Sequence, residues 1–211
     1  MTEQYYTRDP SCASKPVSCR YDYRGAQLEC MTDAGVFSKG ELDQGTRLLL
    51  DALPALSGEV LDLGCGWGAI GVALARVNPE ARITMADVNR RALSLAEENA
   101  RRNGVSVRCV ESDGMSELMD SRYRAVVTNP PIRAGKQVIY RMFADAARVL
   151  EPDGALYLVI RKQQGAESCM KYLKTLYGSV EKLDKSAGFW VLMASEPRKE
   201  DTKDEVQPGV L

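Results

Sequence analysis

Two short motifs in this chain carry residue types that could do chemistry. The first is an apolar run, residues 60–63, followed by Gly64, Gly66 and Gly68. Glycines at the end of a buried strand allow a tight turn into a helix and let a nucleotide-like ligand approach bare backbone. The second motif, residues 129–132, reads Asn-Pro-Pro-Ile and places a side-chain amide before two residues that lack a backbone N–H. Together the motifs favour transfer of a group to an amino nitrogen.

The Asn-Pro-Pro motif predicts a stiff turn. Asn129 and Pro130 each precede a proline, which favours extended backbone, and φ of both prolines is fixed near −65°. At the end of a strand, the Asn129 side-chain oxygen and the Pro130 carbonyl would be two fixed acceptors for the hydrogens of a planar amino group. They would bias its nitrogen lone pair toward an electrophile without a general base. A purely structural turn is the alternative.

Three carboxylates lie near the ends of predicted strands, close to the glycine motif. Asp62, two residues before Gly64, can reach a cationic amine, which S-adenosylmethionine has and NAD lacks. Asp87 is placed to accept the ribose hydroxyls of either ligand, and Asp113 is suited to an adenine amino group. Residues 64–69 also match the loose dinucleotide fingerprint, so NAD remains an alternative. Asp87 and Asp113 could instead be helix N-caps.

The composition excludes several chemistries. The 211-residue chain contains no histidine, and its six cysteines form no Cys-x-x-Cys pair. A histidine general base, a Ser-His or Cys-His nucleophile pair and a histidine-bearing zinc site are therefore impossible, and we expect no metal. The cysteines fit small core residues in a reducing compartment.

Length and composition indicate a globular protein of one domain. Apolar residues make up 45% and charged residues 27% of the chain, and no apolar run approaches the roughly 18 residues of a membrane span. The N-terminus has neither the basic region nor the apolar core of a secretory signal. We expect a cytoplasmic protein without a membrane partner.

One segment is locally basic although the net charge is only −1. Residues 122–148 contain six basic side chains and one acid, Asp145, and they include the Asn-Pro-Pro turn. A patch that faces phosphates and an ordinary solvated helix face both fit this pattern.

The chain begins with a predicted irregular arm, residues 1–16, followed by a β-hairpin over residues 17–31. If Arg24 and Gly25 form a two-residue turn, Cys19 faces Cys30, Tyr21 faces Leu28, and Tyr23 faces Ala26 on one apolar side. Packing is the favoured role of the cysteine pair, with a disulfide as the alternative.

Strand and helix signals then alternate. We predict helices over residues 41–53, 69–77, 90–103, 137–150 and 167–177, and strands over 59–63, 82–86, 105–110, 125–128, 155–160, 180–183 and 189–194. Parallel crossovers need the intervening helices, so the fold class is α/β, a doubly wound, mostly parallel, Rossmann-like sheet. The last two strands lack a helix between them and should form an antiparallel hairpin on its edge. Residues 17–195 would then form a single domain, and residues 196–211 a flexible tail.

Several stretches resemble the class I S-adenosylmethionine-dependent methyltransferases, in the methyltransferase small domain branch. Within it the chain is similar to the small-subunit ribosomal RNA guanine-N2 methyltransferases and their short single-domain relatives. The glycine motif carries the likeness together with Tyr5-Tyr6-Thr7, residues 33–39, residues 42–46 (Leu-Asp-Gln-Gly-Thr), residues 86–92 and residues 129–136.

The resemblance implies roles for individual residues. Asn129 and Pro130 would be catalytic by orienting the acceptor amine. The cofactor S-adenosyl-L-methionine would be held by Asp62, Gly64, Gly66, Gly68, Asp87, Val88, Asp113, Gly114 and Asn129. The substrate would contact Phe37, Ser38, Pro131, Ile132, Arg133 and Lys136.

One position departs from the family pattern. Many Asn-Pro-Pro enzymes carry Tyr or Phe where this chain has Ile132, and an aromatic ring there would stack on a flipped base. Either stacking would then come from Phe37 or Trp67, or the target would be held differently. The leading prediction is an RNA methyltransferase, acting on guanine N2 of ribosomal RNA or of an assembling small subunit. A protein glutamine methyltransferase is the first alternative, and an NAD-binding oxidoreductase or a non-catalytic nucleotide-binding protein the second.

Overall fold

The structure is a computed structural model that describes residues 7–198 of the chain. Residues 1–6 and 199–211 lie outside the described range. With them lie the start of the predicted arm, the Tyr5-Tyr6 part of the family-like stretch and most of the predicted tail.

The predicted N-terminal hairpin is present with the predicted register. Strands β1 (Val17–Tyr23) and β2 (Ala26–Thr32) pair antiparallel, with Cys19 opposite Cys30 and Tyr21 opposite Leu28. Arg24 and Gly25 have φ of +47° and +81°, as a type I′ turn requires. One face of the hairpin is buried, and all six cysteines are free thiols.

The body is a seven-stranded sheet in the order β5-β4-β3-β6-β7-β9-β8. Its strands are β3 (Gly58–Leu63), β4 (Ala81–Asp87), β5 (Arg108–Glu111), β6 (Tyr123–Thr128), β7 (Leu150–Arg161), β8 (Tyr177–Ser186) and β9 (Phe189–Pro197). Strands β3 to β7 pair parallel, whereas β9 is antiparallel to both β7 and β8. The predicted fold class, including the antiparallel pair at the C-terminal edge, is confirmed.

Five α-helices cover the two faces of this sheet within the described residues. They are α1 (Gln44–Ala52), α2 (Ala69–Val77), α3 (Arg90–Arg102), α4 (Lys136–Val149) and α5 (Ala166–Leu176). One buried apolar cluster joins the hairpin and α1, α2 and α3 to one face, and a second joins α4 and α5 to the other. No helix in residues 7–198 is long and apolar enough to cross a membrane.

Most element boundaries differ from the predictions by one to several residues, and three of the differences have a local physical reason. Helix α1 starts three residues late because Asp43 is its N-cap and accepts from Thr46 N at 3.0 Å. Strand β5 starts only at Arg108 because the chain before it caps the C-terminus of α3. The Val105 N–H donates to the Ala100 carbonyl there. Strand β9 runs two residues into the predicted tail because Pro197 pairs with Tyr177.

Residues 7–16 contain no helix or strand, yet side-chain bonds fasten them to the body. The Arg91 guanidinium on α3 donates to the carbonyls of Cys12 at 2.9 Å and Ala34 at 2.8 Å. The arm is thereby joined to the segment that leads into Phe37 and Ser38.

Candidate functional site

A cavity of about 340 Å³ lies at the carboxyl ends of β3, β4, β5 and β6. Open α/β sheets bind ligands at this edge, and the volume suits a small cofactor. Many of the predicted site residues line it: Phe37, Ser38, Gly64, Gly66, Asp87, Val88, Asp113, Gly114, Asn129, Pro130 and Pro131. Fold topology therefore brings together residues from five separate parts of the sequence.

The turn after β3 offers bare backbone to this cavity. Gly64 and Gly66 have φ of +72° and +56°, which disfavours residues with a Cβ. A Cβ at either position would meet no atom within 4 Å. The two glycines are therefore required by backbone conformation, and the space beside them is open to a ligand.

Asp87 ends β4 beside this turn. Its two carboxylate oxygens accept from Gly66 N at 2.8 Å and Asn89 N at 2.9 Å. Burial raises the pKa of the Asp87 carboxyl, while these backbone hydrogen bonds act in the opposite direction. A carboxylate has about four acceptor positions, so Asp87 can still receive two ribose hydroxyls. Asn89, rather than Asp87, is the N-cap of α3.

Asp62 lies beneath the cavity rather than in its lining. Its side chain is fully buried outside the cavity lining, and its Oδ2 accepts from Gly71 N of α2 at 2.8 Å. Its Oδ1 has no partner among the described residues. Burial raises the pKa of Asp62 to about 7, with a smaller contribution from Asp87. Asp62 supports α2 from beneath the glycine turn, and its contact with the amine of the cofactor stays a prediction.

Gly68 does not line the cavity either. A Cβ there would lie 3.2 Å from the Cα of Ala96, and φ is +87°. Gly68 therefore allows the close approach of α2 and α3, and its contact with the cofactor stays a prediction.

Asp113 and Gly114 follow β5 and form another wall of the cavity, with Asp113 exposed. A Cβ at Gly114 would lie 3.9 Å from Met142 of α4. No group of three or more His, Cys, Asp or Glu side chains in residues 7–198 could hold a metal ion.

Asn129 follows β6 directly, and its amide is oriented by the N-terminus of α1. The Asn129 Nδ2 group donates to Thr46 Oγ1 at 2.9 Å and to Asp43 Oδ2 at 3.1 Å. The neighbouring Thr128 Oγ1 donates to Leu63 O at 2.7 Å, which ties this turn to the end of β3. With Nδ2 engaged by the protein, Oδ1 is left to accept from a ligand.

One lone pair of the Pro130 carbonyl oxygen already accepts a hydrogen bond within the turn. It accepts from Ile132 N at 2.8 Å across Pro131, whose φ of −74° and ψ of +78° form an inverse γ-turn. A carbonyl oxygen has two lone pairs, so one further hydrogen can be accepted.

Three predicted substrate residues lie outside the cavity lining. Ile132 packs half-buried against the apolar cluster that contains α4. Arg133 and Lys136 are exposed, and Lys136 Nζ lies 5.0 Å from the centre of the Tyr140 ring. Contact of these two cations with substrate phosphates stays a prediction.

The two candidate stacking aromatics have different environments. Trp67 also borders the cavity, but it is only 2% exposed and its ring centre lies 6.1 Å from that of Tyr21 in an edge-on contact, so it belongs to the core. Phe37 is half-buried and lines the cavity. Phe37 is therefore the better placed of the two to contact a base.

Sequence reasoning missed one face of α4. Val138, Arg141, Met142 and Asp145 all line the cavity, and their spacing of three, four and seven residues is that of one helix face. These four residues also share one face of the helix predicted over residues 137–150, but their residue types did not indicate contact with a ligand. Within the basic segment, Arg141 and Arg148 both pair with Asp145, while Arg124 pairs with Asp153.

Comparison with known proteins gives consistent similarities. A family model described as the methyltransferase small domain matches residues 27–193. The uncharacterized protein YbxB of Bacillus subtilis is 39% identical over 200 residues, which cover 93% of this chain and 100% of that protein. Ribosomal RNA small subunit methyltransferase C of Vibrio vulnificus is 37% identical over 179 residues, covering 82% of this chain and 51% of that protein.

A solved structure with a bound cofactor is also similar. It is the N2 methyltransferase of 16S rRNA (RsmC) from T. Thermophilus, in complex with AdoMet and guanosine. The TM-score is 0.79 at 27% sequence identity, with coverage of 89% of this chain and 52% of that one. This chain therefore spans about half the length of the ribosomal RNA methyltransferases named here.

Proposed function

The chain belongs to the methyltransferase small domain family and uses S-adenosyl-L-methionine, and from this premise we propose that it methylates the N2 amine of guanine in small-subunit ribosomal RNA. The observation that carries the proposal is the oriented Asn129 amide beside the Pro130 carbonyl at the edge of the cofactor cavity. The dinucleotide alternative has no support from the family match.

The residues present fit this cofactor. Gly64 and Gly66 leave open backbone after β3, and Asp87 retains acceptor capacity for ribose hydroxyls after β4. Asp113 lies after β5, where it can accept from an adenine amino group. We propose that these four residues bind S-adenosyl-L-methionine together with Val88 and Gly114.

The contribution of the protein itself to the reaction is to position the acceptor amine. Bound S-adenosyl-L-methionine supplies an electrophilic methyl group. Asn129 Oδ1 and the free lone pair of the Pro130 carbonyl accept the two hydrogens of the planar amine, which keeps its nitrogen lone pair available for the new N–C bond. The nitrogen releases one proton to water after transfer, so no histidine is needed.

The choice of RNA rests on the named relatives and on the site rim. The relative from Vibrio vulnificus is named for small-subunit ribosomal RNA, and the T. Thermophilus structure contains guanosine. In this chain Phe37 can contact a base, and Arg133 and Lys136 follow the catalytic turn on the exposed side. We propose that those two cations meet the phosphates next to the target nucleotide.

The test is transfer of a tritiated methyl group to three substrates. Small subunits, naked 16S rRNA and ribosome-free protein extract are prepared from cells that lack the gene, and each is incubated with the purified protein. We expect label in RNA, and digestion to nucleosides with mass analysis should show a methylated guanosine. Label in protein with none in either RNA sample would refute the proposal in favour of glutamine methylation. Asn129→Ala is the matched control for contaminating activity.

A further inference from the structure

The amide that the proposed function depends on is held by two residues from a distant part of the chain. Asn129 Nδ2 lies 2.9 Å from Thr46 Oγ1 and 3.1 Å from Asp43 Oδ2. These two acceptors belong to the first turn of α1 and its cap, not to the sheet that carries Asn129.

The two acceptors are themselves fixed. Asp43 Oδ2 also accepts from Thr46 N at 3.0 Å, and Thr46 is 4% exposed. A Cβ at Gly45 would lie 2.9 Å from the Phe189 ring and 3.0 Å from Asp43 Oδ2. Only glycine allows α1 to approach β9 this closely, so the start of the helix is confined between Phe189 and Asn129.

This arrangement selects one of the two orientations of the Asn129 amide. Asp43 Oδ2 is an ionisable oxygen that already accepts a backbone N–H, and the amide meets it with Nδ2 rather than with Oδ1. The reversed amide would place Oδ1 against the carboxylate and would present a donor to an amine that needs an acceptor. A carboxylate that accepts from Nδ2 also polarises the amide and strengthens Oδ1 as an acceptor.

We propose that Asp43 and Thr46 are positioning residues for methyl transfer, which fix the Asn129 amide with Oδ1 toward the acceptor amine. The inference rests on the proposed function for its catalytic consequence, although the orientation itself is measurable without a substrate. It gives a role to the stretch at residues 42–46, for which the sequence offered only a family likeness.

The orientation is tested first, by NMR of ¹⁵N-labelled protein. The Asn129 side-chain NH₂ signals are assigned by their loss in Asn129→Ala. Thr46→Val keeps the shape of the side chain but removes the acceptor, and it should speed hydrogen exchange at Asn129 Nδ2 roughly two- to ten-fold, as expected for loss of one hydrogen bond. Thr46→Ser keeps the hydroxyl and should restore slow exchange. Equal exchange rates in Thr46→Val and the unmodified protein would overturn the proposal.

The consequence for transfer is tested with the same pair of variants. Thr46→Val should lower kcat about ten-fold while the Kd for S-adenosyl-L-methionine changes less than two-fold, and Thr46→Ser should recover most of kcat. Asp43→Ser caps α1 but is too short to reach Asn129, so it should also lower kcat. A fall in melting temperature with unchanged kcat in Thr46→Val and Asp43→Ser would mean a structural role only and would overturn the proposal. If the unmodified protein methylates no RNA, the proposed function fails while the exchange experiment still decides the orientation.

Discussion

Substitution of Asp62 by Asn should change how the stability of the protein depends on pH. The Asp62 side chain is fully buried, one oxygen has no partner among the described residues, and its pKa is raised from 3.8 to about 7. Between pH 4 and pH 7 the folded state therefore retains a proton that the unfolded state has released. The free energy of unfolding must fall as pH rises through this window.

The size of the effect follows from the two pKa values. Stability contributed by Asp62 is fully present below pH 4 and falls by about 1.4 kcal/mol per pH unit until the folded pKa is reached. The total loss by pH 7 is on the order of 4 kcal/mol. Asp62→Asn removes the titrating group, so this part of the slope should disappear.

The assay is urea unfolding of both proteins at several pH values from 4 to 8. The difference between the two free energies isolates Asp62, because other groups, such as Glu111 with its lowered pKa, contribute equally to both curves. We expect the substituted protein to gain stability relative to the original as pH rises. A difference that stays constant within about 0.5 kcal/mol, well below the expected total, would refute the reasoning and mean that the Asp62 carboxylate is ionised throughout.

Three further predictions concern the site. Asn129→Ala should lower single-turnover transfer by about 100-fold or more, while calorimetry finds the Kd for S-adenosyl-L-methionine within about three-fold, because the amide acts on the acceptor amine; near-normal transfer would remove Asn129 from the mechanism. Asp87→Ala should weaken cofactor binding by roughly 1.5 to 3 kcal/mol, the scale of a charged hydrogen-bond partner, and an unchanged Kd in calorimetry would place the ribose elsewhere. Changing Arg133 and Lys136 together to Glu should reduce the salt slope of RNA binding by about 0.7 to 0.9 per lost phosphate contact, measured by titration at several salt concentrations. The control is Lys174→Glu on α5, and equal slopes in both variants would contradict the phosphate assignment.

Most of the fold could be predicted because its signals are local. The hairpin register follows from one apolar face with period two and from the Arg24-Gly25 turn. The alternation of strands and helices follows from the spacing of apolar residues, which differs between strands, with a period of two, and helices, with a period of about 3.6. Element boundaries were less predictable because caps such as Asp43 depend on side-chain hydrogen bonds.

The residues that line the cavity were predicted in part, and the differences have a common cause. A motif of glycine and aspartate does not indicate toward which face of the sheet each side chain points. Asp62 lies two positions from Val60 on the same strand, so both point to the face that α2 covers rather than to the sheet edge. The contact between Asn129 and Asp43 joins positions 86 residues apart, and no local pattern could indicate it.

The placement of β9 between β7 and β8 has a consequence for synthesis of the protein. Strand β8 is made before β9 but is paired in the sheet only through it, so β7 and β8 remain unjoined until the chain reaches Phe189–Pro197. Phe189 begins that strand and also confines the first turn of α1 beside Asn129. A nascent chain can thus build the parallel part of the sheet before residues 189–197 are made, whereas the first turn of α1 gains its contact with Phe189 only after them. The edge at which we propose that the cofactor binds can therefore form before the contact that confines α1 beside Asn129.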